Sequence, residues 1–352
     1  MDAIHIFSHG AEHTTAHYFE RAARADKESR VYYWNHCPVL DNLRQDDLLI
    51  FIDPAPDWPL GLEIVPCLTV AYFIDVHQDL RLRLQLSRFF DAVFIAQKDY
   101  VSVFRENGRD HVYWLPLACD PEIHHVPYET MAYEVGFIGK LGQPDSCRHK
   151  ILTTVLPHYQ TNNYMKFYSP REMAKIYGQS KIVFNASING DLNMRVFEAM
   201  AAGSLLVTDR IENGLTELFE EGVHYVGYST IEEAIEKIDY YLANDVERDL
   251  IAAEGQQVVF DKHTYRSRWD QILQLSAYAN GYAPARSYLC RDLSELYSYI
   301  FVSLRMPWRI LAVMGRYGLS KTAVCNLVVG WGRWLNAQIP LTPKAIRARL
   351  SP

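Results

Sequence analysis

The sequence predicts an α/β protein with two doubly wound domains, each built on a parallel sheet, followed by a helical and basic extension. Short apolar runs that do not alternate with polar residues recur through residues 1–226, and helix-like stretches separate them. Strands covered on both faces of a parallel sheet have this continuous apolar character. The pattern breaks once, at the polar text "HHVPYET" (124–130), and 352 residues suit two cores better than one.

The first domain is predicted to cover residues 1–128, with helices at 15–25 and 99–107 among others. Its predicted strands are 4–7, 31–34, 48–52, 68–73, 92–96 and 112–115. The second domain is predicted at 129–279, with strands at 134–138, 165–168, 182–185, 205–208 and 223–226. Doubly wound sheets bind ligands at the carboxyl ends of their strands, so two facing domains would enclose a cleft for two substrates.

Composition predicts a folded globular protein, since 49% of residues are hydrophobic and 22% are charged. The six cysteines are scattered without a CxxC pair, which favours reduced thiols in the cytoplasm. The first eight residues lead directly into a strand-like segment, so we expect no signal peptide. Nothing in the sequence suggests a nucleic-acid partner.

A glycine-rich turn follows the first predicted strand of the second domain, in the text "VGFIGKLGQPDSCRHK" (135–150). Gly139 and Gly142 would let backbone N–H groups approach a phosphate, and Lys140, Arg148 or Lys150 could neutralise its charge. The spacing is not that of a P-loop. An ordinary turn from strand to helix is the alternative.

The text "NMRVFEAMAAGSLLVTD" (193–209) predicts a helix, a stop at Gly203 and a buried strand. Its charged residues, Arg195 and Glu198, are expected in or near the first turn, at the positive end of the helix dipole. A carboxylate there can accept hydrogen bonds from the two hydroxyls of a ribose, and a guanidinium can bind a diphosphate. Alternatively, Glu198 stabilises its own helix and Arg195 lies on a solvated face. The residues predicted to face the core are Met194, Phe197, Met200 and Ala201.

Most of the second domain resembles the donor-site region of GT-B glycosyltransferases of the retaining, family-4-like group, and in particular the CgeB-like branch related to spore maturation proteins. The resemblance rests on "VGFIGKLG", "SPREMAKIYGQSKIVFNAS", "NMRVFEAMAAGSLLVTD" and "FDKHTYRSRWDQIL", in that order. In the first domain it is fainter, chiefly "FDAVFIAQKDYVSVFRENG" and "VYWLPLACDP". It implies GT-B architecture and transfer of a sugar from a nucleoside-diphosphate sugar, of UDP or GDP type, to an acceptor hydroxyl.

The resemblance also implies roles for single residues. Glu198 takes the place of the glutamate that holds the nucleotide ribose, and Lys140 or Arg148, with Arg195, would face the diphosphate. The family's second glutamate, eight positions earlier, is replaced by Gly190. Either Asp191 or backbone amides of the "NGDLN" segment, which ends at Asn193, would then hold the sugar.

Two groups of residues in the first domain are candidates for the sugar or the acceptor. Asp75 and His77 follow a predicted strand, and several family-4-like enzymes place a histidine there, near the transferred sugar; a loop histidine that caps the next helix is the alternative. His9, His13 and His17 are four residues apart in "SHGAEHTTAHYF". Without accompanying carboxylates or cysteines they suggest acceptor-facing or surface side chains, and no metal site is predicted.

The chain contains no D-x-D, the motif with which GT-A transferases commonly hold a metal on the donor, so we expect neither a metal nor another cofactor. The resemblance favours a retaining front-face reaction, in which the departing phosphate takes the acceptor's proton. An inverting reaction would require a base, for which His9, His13 and Asp75 are the candidates.

The segment 280–352 is predicted to be a helical, basic extension. Residues 281–352 contain ten Lys or Arg and two Asp or Glu, which gives this segment a net charge of +8. Because the whole chain has a net charge of −7, residues 1–280 have a net charge of −15. Its apolar runs are interrupted by arginines and are too short to span a bilayer. The segment packs on the first domain in one interpretation; in the other it docks through Trp308, Trp331 and Trp334 on an anionic membrane, at the inner face of the cell.

The acceptor is expected to be a cell-surface glycan, a lipid-linked glycan or a protein. Two other functions remain open. A nucleotide-sugar epimerase can share two facing Rossmann-like domains and would alter a donor without an acceptor. A non-catalytic sugar-nucleotide or glycan-binding protein would explain the missing glutamate at Gly190, although Arg195 and Glu198 are kept.

Overall fold

The computed structural model contains two parallel β-sheets, and it describes residues 1–8, 15–27, 29–36, 39–53, 58–127, 130–279 and 290–338. The first sheet has six strands in the order β2-β1-β3-β4-β5-β6, and all of its neighbours are parallel. Its strands are β1 (Ala3–Phe7), β2 (Arg30–Trp34), β3 (Leu48–Ile52), β4 (Leu68–Phe73), β5 (Ala92–Ile95) and β6 (Val112–Trp114).

The second sheet has four strands in the order β10-β9-β8-β7, again all parallel. These strands are β7 (Tyr133–Gly136), β8 (Ser180–Asn185), β9 (Leu205–Asp209) and β10 (Val226–Tyr228). In both sheets the central strands are buried on both faces, because helices cover each side. The predicted α/β class and parallel sheets are therefore confirmed.

The helices fall into three groups along the chain. Those of the first 127 residues are α1 (Thr15–Ala25), α2 (Leu80–Leu86), α3 (Tyr100–Glu106) and α4 (Pro121–His124). Those that follow are α5 (Cys147–Val155), α6 (Pro170–Gly178), α7 (Met194–Ala201), α8 (Leu215–Leu218), α9 (Ile231–Ala243), α10 (Asp245–Lys262) and α11 (Tyr265–Ala279). The last group is α12 (Cys290–Ser303), α13 (Pro307–Tyr317) and α14 (Lys321–Gln338).

The C-terminal helices form a layer of the first domain. One face of the six-stranded sheet packs on α1 and on α11, although α11 comes after the second sheet. The other face packs on α2, α3, α12 and α13 in one apolar cluster, which includes Tyr297, Phe301 and Val313. The hydroxyls of Tyr297 and Tyr317 donate to the buried carboxylate of Glu63, at 2.8 and 2.7 Å. Helices α12 and α13 thus pack on the first domain, as the first of the two interpretations of this segment predicted.

The chain crosses between the domains twice, and the two crossings are bonded to each other. The N–H of Cys119 donates to the carbonyl of His263 at 3.0 Å, and the N–H of Tyr265 donates to the carbonyl of Cys119 at 2.9 Å. The buried guanidinium of Arg268 donates to the carbonyl of Pro116 at 2.8 Å. This junction fixes α11 against the first domain and sets the position of the second sheet.

Two predicted strands of the second domain need correction. Residues 165–168 form no strand: Met165 and Phe167 are 76% and 90% exposed, and Thr161 provides the bridge beside β7 instead. The last strand, β10, begins three residues later than the predicted strand 223–226. Residues 222–225 form a tight turn instead, in which the N–H of Gly222 donates to the carbonyl of Tyr225 at 2.8 Å.

Candidate functional site

A cavity of about 1440 Å³ lies at the carboxyl ends of the strands of the second sheet. The segment after β7 forms one wall, the loop 164–168 forms another, and the loop after β8 with Asp209, at the end of β9, forms the third. Four predicted donor-site residues line it, namely Gly139, Lys140, Gly142 and Arg148. Met165 and Phe167, which were predicted to belong to a strand, are exposed and line it as well.

The wall after β7 requires glycine at one position. Gly139 has a φ of +142°, and a Cβ there would collide with the Nη2 atom of Arg195. The guanidinium of Arg148 also lies near this point, with its Nη2 atom 3.7 Å from that Cβ position. Gly139 therefore allows two cations to lie against one stretch of backbone.

Arg195 is held by acceptors that carry no charge. Its Nη2 and Nη1 atoms donate to the carbonyl of Ile138 and to Oδ1 of Asn185, both at 2.6 Å. The side chain of Asn193 caps α7 by accepting the N–H of Arg195 at 3.1 Å, and its amide donates to the same Asn185 oxygen at 3.2 Å. The guanidinium also lies 4.7 Å from the ring centre of Phe137. The cap and the strand end thus fix the arginine beside the cavity.

Arg148 is buried, and its Nε atom donates to the carbonyl of Lys140 at 3.0 Å. Burial, and next the like charge of Arg195, lower the pKa of Arg148 to about 10. Neither arginine forms an ion pair with any carboxylate in the described part of the chain. Asp209 and Glu198 act on these two charges only from beyond ion-pair distance, so an anion entering the cavity would reduce the cost of burying Arg148.

Glu198 lies deeper than the sequence predicted. Helix α7 begins at Met194, so Glu198 is its fifth residue and belongs to the second turn. It is 8% exposed and is not among the described residues that line the cavity. Burial raises its pKa to about 7, although the charge of Arg195 opposes the shift. At neutral pH this carboxyl is therefore divided between its two protonation states.

The neighbour of Glu198 in the first domain is His124, at the end of α4. Its Nδ1 atom accepts the N–H of Asp120 at 2.9 Å, so the proton of the neutral ring is on Nε2. Nε2 lies 3.3 Å from the hydroxyl of Tyr18 and 3.8 Å from Oε1 of Glu198. Burial lowers the pKa of His124 to about 4, so a neutral ring lies beside Glu198, beyond hydrogen-bond distance. Tyr18 also lines a second cavity, of about 430 Å³, between α1 and the start of α6.

Two predicted residues from different domains meet across the cleft. Nδ1 of His77 lies 3.2 Å from Oδ2 of Asp191. His77 belongs to the single 3₁₀ turn Val76–Gln78 after β4, which Asp75 begins with a φ of +51°. Burial raises the pKa of Asp191 to about 6; His77 opposes the shift, and Asp75 and Asp99 add to it. The structure thus brings together His77 and Asp191, the two side chains that the resemblance associates with the transferred sugar.

Further contacts hold this side of the cleft together. Lys98 forms an ion pair with Glu217. The N–H of Asp99 donates to Oδ1 of Asn213, and the amide of Asn213 donates back to Asp99, both at 3.1 Å. These bonds join the start of α3 to the segment before α8, so the two domains face each other in a closed arrangement.

The other predicted residues are placed as follows. His9 and His13 lie outside the described residues. His17 is on α1, where its Nδ1 atom lies 3.1 Å from Glu20. Gly190 has a φ of +73°, and a Cβ there would meet no atom within 4 Å. Among the described residues no group of three or more His, Cys, Asp or Glu could hold a metal ion.

Several residues of the site escaped the sequence analysis. Asn185, Asp209 and Asp53 are polar residues at or just past the ends of buried strands, which is a signal that could have identified them. Asp53 accepts a bond from Arg83 at 2.7 Å, and burial raises its pKa to about 6. His124 carried no such signal, because its segment was interpreted as a loop between the domains.

The chain is similar to known proteins in its fold and in part of its sequence. Residues 138–274, less than half of the chain, match the family described as glycosyl transferase-like. No curated protein matches the chain in sequence.

Solved structures match over most of the chain. HepE of Anabaena, solved in complex with UDP, is 14% identical, with 79% of this chain and 100% of that chain covered and a TM-score of 0.58. A glycosyltransferase of Rickettsia africae is 11% identical, with 79% and 98% covered and a TM-score of 0.56. Sucrose-phosphate synthase of Thermosynechococcus elongatus is 9% identical, with 80% and 100% covered and a TM-score of 0.54. The CgeB-like branch stays a prediction. The chain thus has the GT-B fold, and its second domain carries the match to the glycosyl transferase-like family.

Proposed function

We propose that this protein is a glycosyltransferase that moves a sugar from a nucleoside-diphosphate sugar to an acceptor hydroxyl. One observation carries the proposal: Arg148 lines a large cavity and Arg195 lies beside Gly139 of the same wall, and neither guanidinium forms an ion pair with a carboxylate in the described residues. Such a pair suits a diphosphate, which offers two adjacent charges to two forked donors. The glycosyl transferase-like match over residues 138–274 covers the same wall.

The donor occupies the cavity of the second domain in this proposal. Its diphosphate lies against Gly139, between the two arginines, with the exposed Lys140 at the rim. Its base lies against the loop 164–168, where aromatic and apolar side chains are exposed to the cavity. A uridine donor is favoured over a guanosine donor, since HepE of Anabaena has been solved with UDP and with UDP-glucose.

Glu198 is proposed to bind the ribose, with His124 fixing the carboxylate from the first domain. The carboxylate form can accept hydrogen bonds from both ribose hydroxyls, and donation from those hydroxyls would lower its raised pKa. Because Glu198 is buried, this role requires α7 and α4 to part slightly when the nucleotide enters. Replacing Glu198 with Ala is expected to abolish donor binding; donor affinity unchanged in calorimetry would remove Glu198 from the site.

The chemical step is proposed to be metal-independent and retaining. The bond between the sugar's anomeric carbon and the phosphate oxygen breaks, a bond from that carbon to the acceptor oxygen forms on the same face, and the acceptor proton moves to the departing phosphate. Arg148 and Arg195 stabilise the negative charge that develops on the phosphate. His77 and Asp191, held 3.2 Å apart, bind hydroxyls of the transferred sugar.

The acceptor is proposed to bind to the first domain, because the edge of this domain at the cleft carries Asp53, Asp75 and His77. The acceptor is a glycan, free or lipid-linked, or a protein. We place the enzyme in the cytoplasm, at the inner face of the cell membrane, where an exposed apolar surface of α13 and α14 would contact the lipid. No helix in the described ranges is both long and apolar enough to cross a bilayer.

The reaction is tested by incubating the full chain with UDP-, GDP- and dTDP-sugars and measuring free nucleoside diphosphate. Release, and more of it with acceptor, is the expected result. An altered sugar on an intact donor would instead identify an epimerase. No turnover of any donor, together with no donor affinity in calorimetry, would overturn the proposal. Affinity without turnover in a broad acceptor panel would identify a binding protein.

A further inference from the structure

The outermost helices carry an apolar surface that no other described part of the chain covers. On α14 the apolar residues at steps of four, three and four are exposed, and on α13 two more are exposed beside them. Leu311, Val328 and Leu335 are 55%, 68% and 53% exposed. We call this surface the docking face; it consists of Trp308, Leu311, Val324, Val328, Trp331 and Leu335.

The docking face is continuous across the two helices. The ring of Trp334 lies 5.4 Å from that of Trp331 and 6.5 Å from that of Trp308, and so joins α14 to α13. The opposite side of each helix is buried, with Val313 on α13 and Ala323 on α14 against the rest of the helical layer. Apolar patches of this kind on a folded protein mark an interaction site.

The surface is held rigidly in place. Glu63, in the first domain, accepts bonds from Tyr297 of α12 and Tyr317 of α13, and the guanidinium of Arg309 donates to the carbonyl of Trp58 at 2.8 Å. These buried bonds fix α12 and α13 on the sheet, and α14 packs on both of them. The docking face is therefore preformed and needs no folding on its partner.

The charge around the docking face identifies the kind of partner. From Arg305 to the end of the chain the sequence contains eight Lys or Arg and no Asp or Glu. Arg316, Lys321 and Arg333 are exposed on the same two helices. The residues before 281 carry a charge of −15, so an anionic surface would repel them and attract the tail.

We infer that the docking face binds an anionic lipid bilayer, with α13 and α14 lying in its interface. Tryptophan rings and aliphatic side chains enter the boundary between headgroups and acyl chains, and the arginines and lysine meet the lipid phosphates. The enzyme would then work beside acceptors that are held at the membrane. The docking rests on these helices alone, and only its purpose depends on the proposed function.

The test is flotation of the full chain through a density gradient with vesicles. Vesicles of equal parts phosphatidylcholine and phosphatidylglycerol are expected to float at least about tenfold more protein than phosphatidylcholine alone, and high salt is expected to abolish the difference. The paired change Trp331→Ser and Leu335→Ser is expected to weaken partition at least about tenfold, and Arg333→Gln about fivefold.

A matched control removes exposed apolar residues elsewhere. Val246 and Leu250, on α10, are 79% and 63% exposed, and their change to Ser is expected to leave flotation unchanged. Equal flotation on neutral vesicles, no flotation, or full flotation of the Trp331 and Leu335 variant overturns the inference. A further result would also overturn it: the wild-type protein is a dimer in light scattering, the Trp331 and Leu335 variant is a monomer, and neither of them floats. A second copy of the chain would then cover the docking face.

The failure of this inference differs from the failure of the proposed function. Donor affinity in calorimetry does not depend on α14, so a protein that binds donor but does not float refutes the docking alone. An Arg195→Met variant is expected to float normally while its donor affinity falls by about 10- to 150-fold. Flotation without any donor affinity or turnover would refute the proposed function alone.

Discussion

The carboxyl ends of the two sheets face one cleft, but their charged side chains differ in how they are paired. The edge of the second sheet offers Arg148 and Arg195, two guanidiniums that lack a carboxylate partner in the described structure. The edge of the first sheet offers Asp53, Asp75 and His77, and there the charges have partners: Asp53 bonds to Arg83, and Asp75 bonds to Gln78.

The difference shows which edge is left incomplete without a ligand. On the first edge, protein groups already satisfy the carboxylates, so it can adapt to a neutral sugar or acceptor hydroxyl. On the second edge, two like charges lie close together, and their repulsion contributes to the lowered pKa of Arg148. That edge gains most from an anion, which is why we assign the diphosphate to it.

After the loss of donor binding expected for Glu198→Ala, the largest expected effect follows from removing either cation. Arg148→Met or Arg195→Met removes charge-assisted bonds of about 1.5–3 kcal/mol, so donor affinity in calorimetry is expected to fall by about 10- to 150-fold. The thermal stability of Arg148→Met is expected to be unchanged or higher, because the variant no longer buries an unpaired charge beside Arg195. Unchanged donor affinity, or a clear loss of stability, would show that these arginines are structural.

The pH dependence tests Glu198, which lies on the same side of the cleft. Its pKa is raised to about 7, so affinity for a UDP-sugar is expected to rise about tenfold between about pH 6 and pH 8 and then to level off. Stability has the opposite trend: the folded protein holds the proton more tightly than the unfolded chain, so burial of Glu198 destabilises it increasingly as pH rises from about 4.5 to about 7.

Glu198→Gln serves as the control for that experiment, since an amide does not titrate. Both pH trends are expected to flatten in this variant, and its donor affinity is expected to stay low throughout. A wild-type slope that survives the substitution would assign the titration to another group. A UDP-sugar is used because its diphosphate, unlike that of UDP, has no titrating terminal phosphate.

A smaller effect is expected on the first edge. His77→Ala removes a neutral bond of about 0.5–1.5 kcal/mol to the sugar, so kcat/KM for transfer is expected to fall about fivefold. Affinity for UDP, which has no sugar, is expected to change less than twofold. Equal losses for UDP and UDP-sugar would instead mean that His77 acts by closing the domains through Asp191, which lies 3.2 Å away.

The sequence predicted much of the fold because its strands are continuous apolar runs. Runs such as 48–52 and 68–73 agree with β3 and β4 at both ends, and the predicted helix 15–25 has the bounds of α1. The run 165–168 failed because apolar residues do not have to be buried: Met165 and Phe167 are exposed on a cavity wall. Hydrophobicity alone does not distinguish the two cases.

The sequence predicted candidate site residues where polar or charged side chains follow the end of a strand. It did not predict the parts of the candidate site that depend on contacts between the domains. Gly139, Arg148 and Arg195 were identified from turns and a helix start. The approach of His77 to Asp191, and of His124 to Glu198, joins residues more than 70 positions apart on separate sheets. No local pattern carries such contacts. Glu198 is the fifth residue of α7, near the first turn as expected, but its burial was not predicted.

The smallest effect is expected at an arginine that has partners, and it sharpens the comparison between the two edges. Arg210 also follows a strand of the second sheet, but it forms ion pairs with Glu221 at 2.8 Å and Glu233 at 2.9 Å and is largely exposed. Arg210→Met is expected to change donor affinity less than twofold and to lower stability by about 1 kcal/mol or less in urea unfolding. If this change weakened donor binding as much as Arg195→Met does, net positive charge near the strand ends would explain binding, and the lack of ion pairs at Arg148 and Arg195 would not.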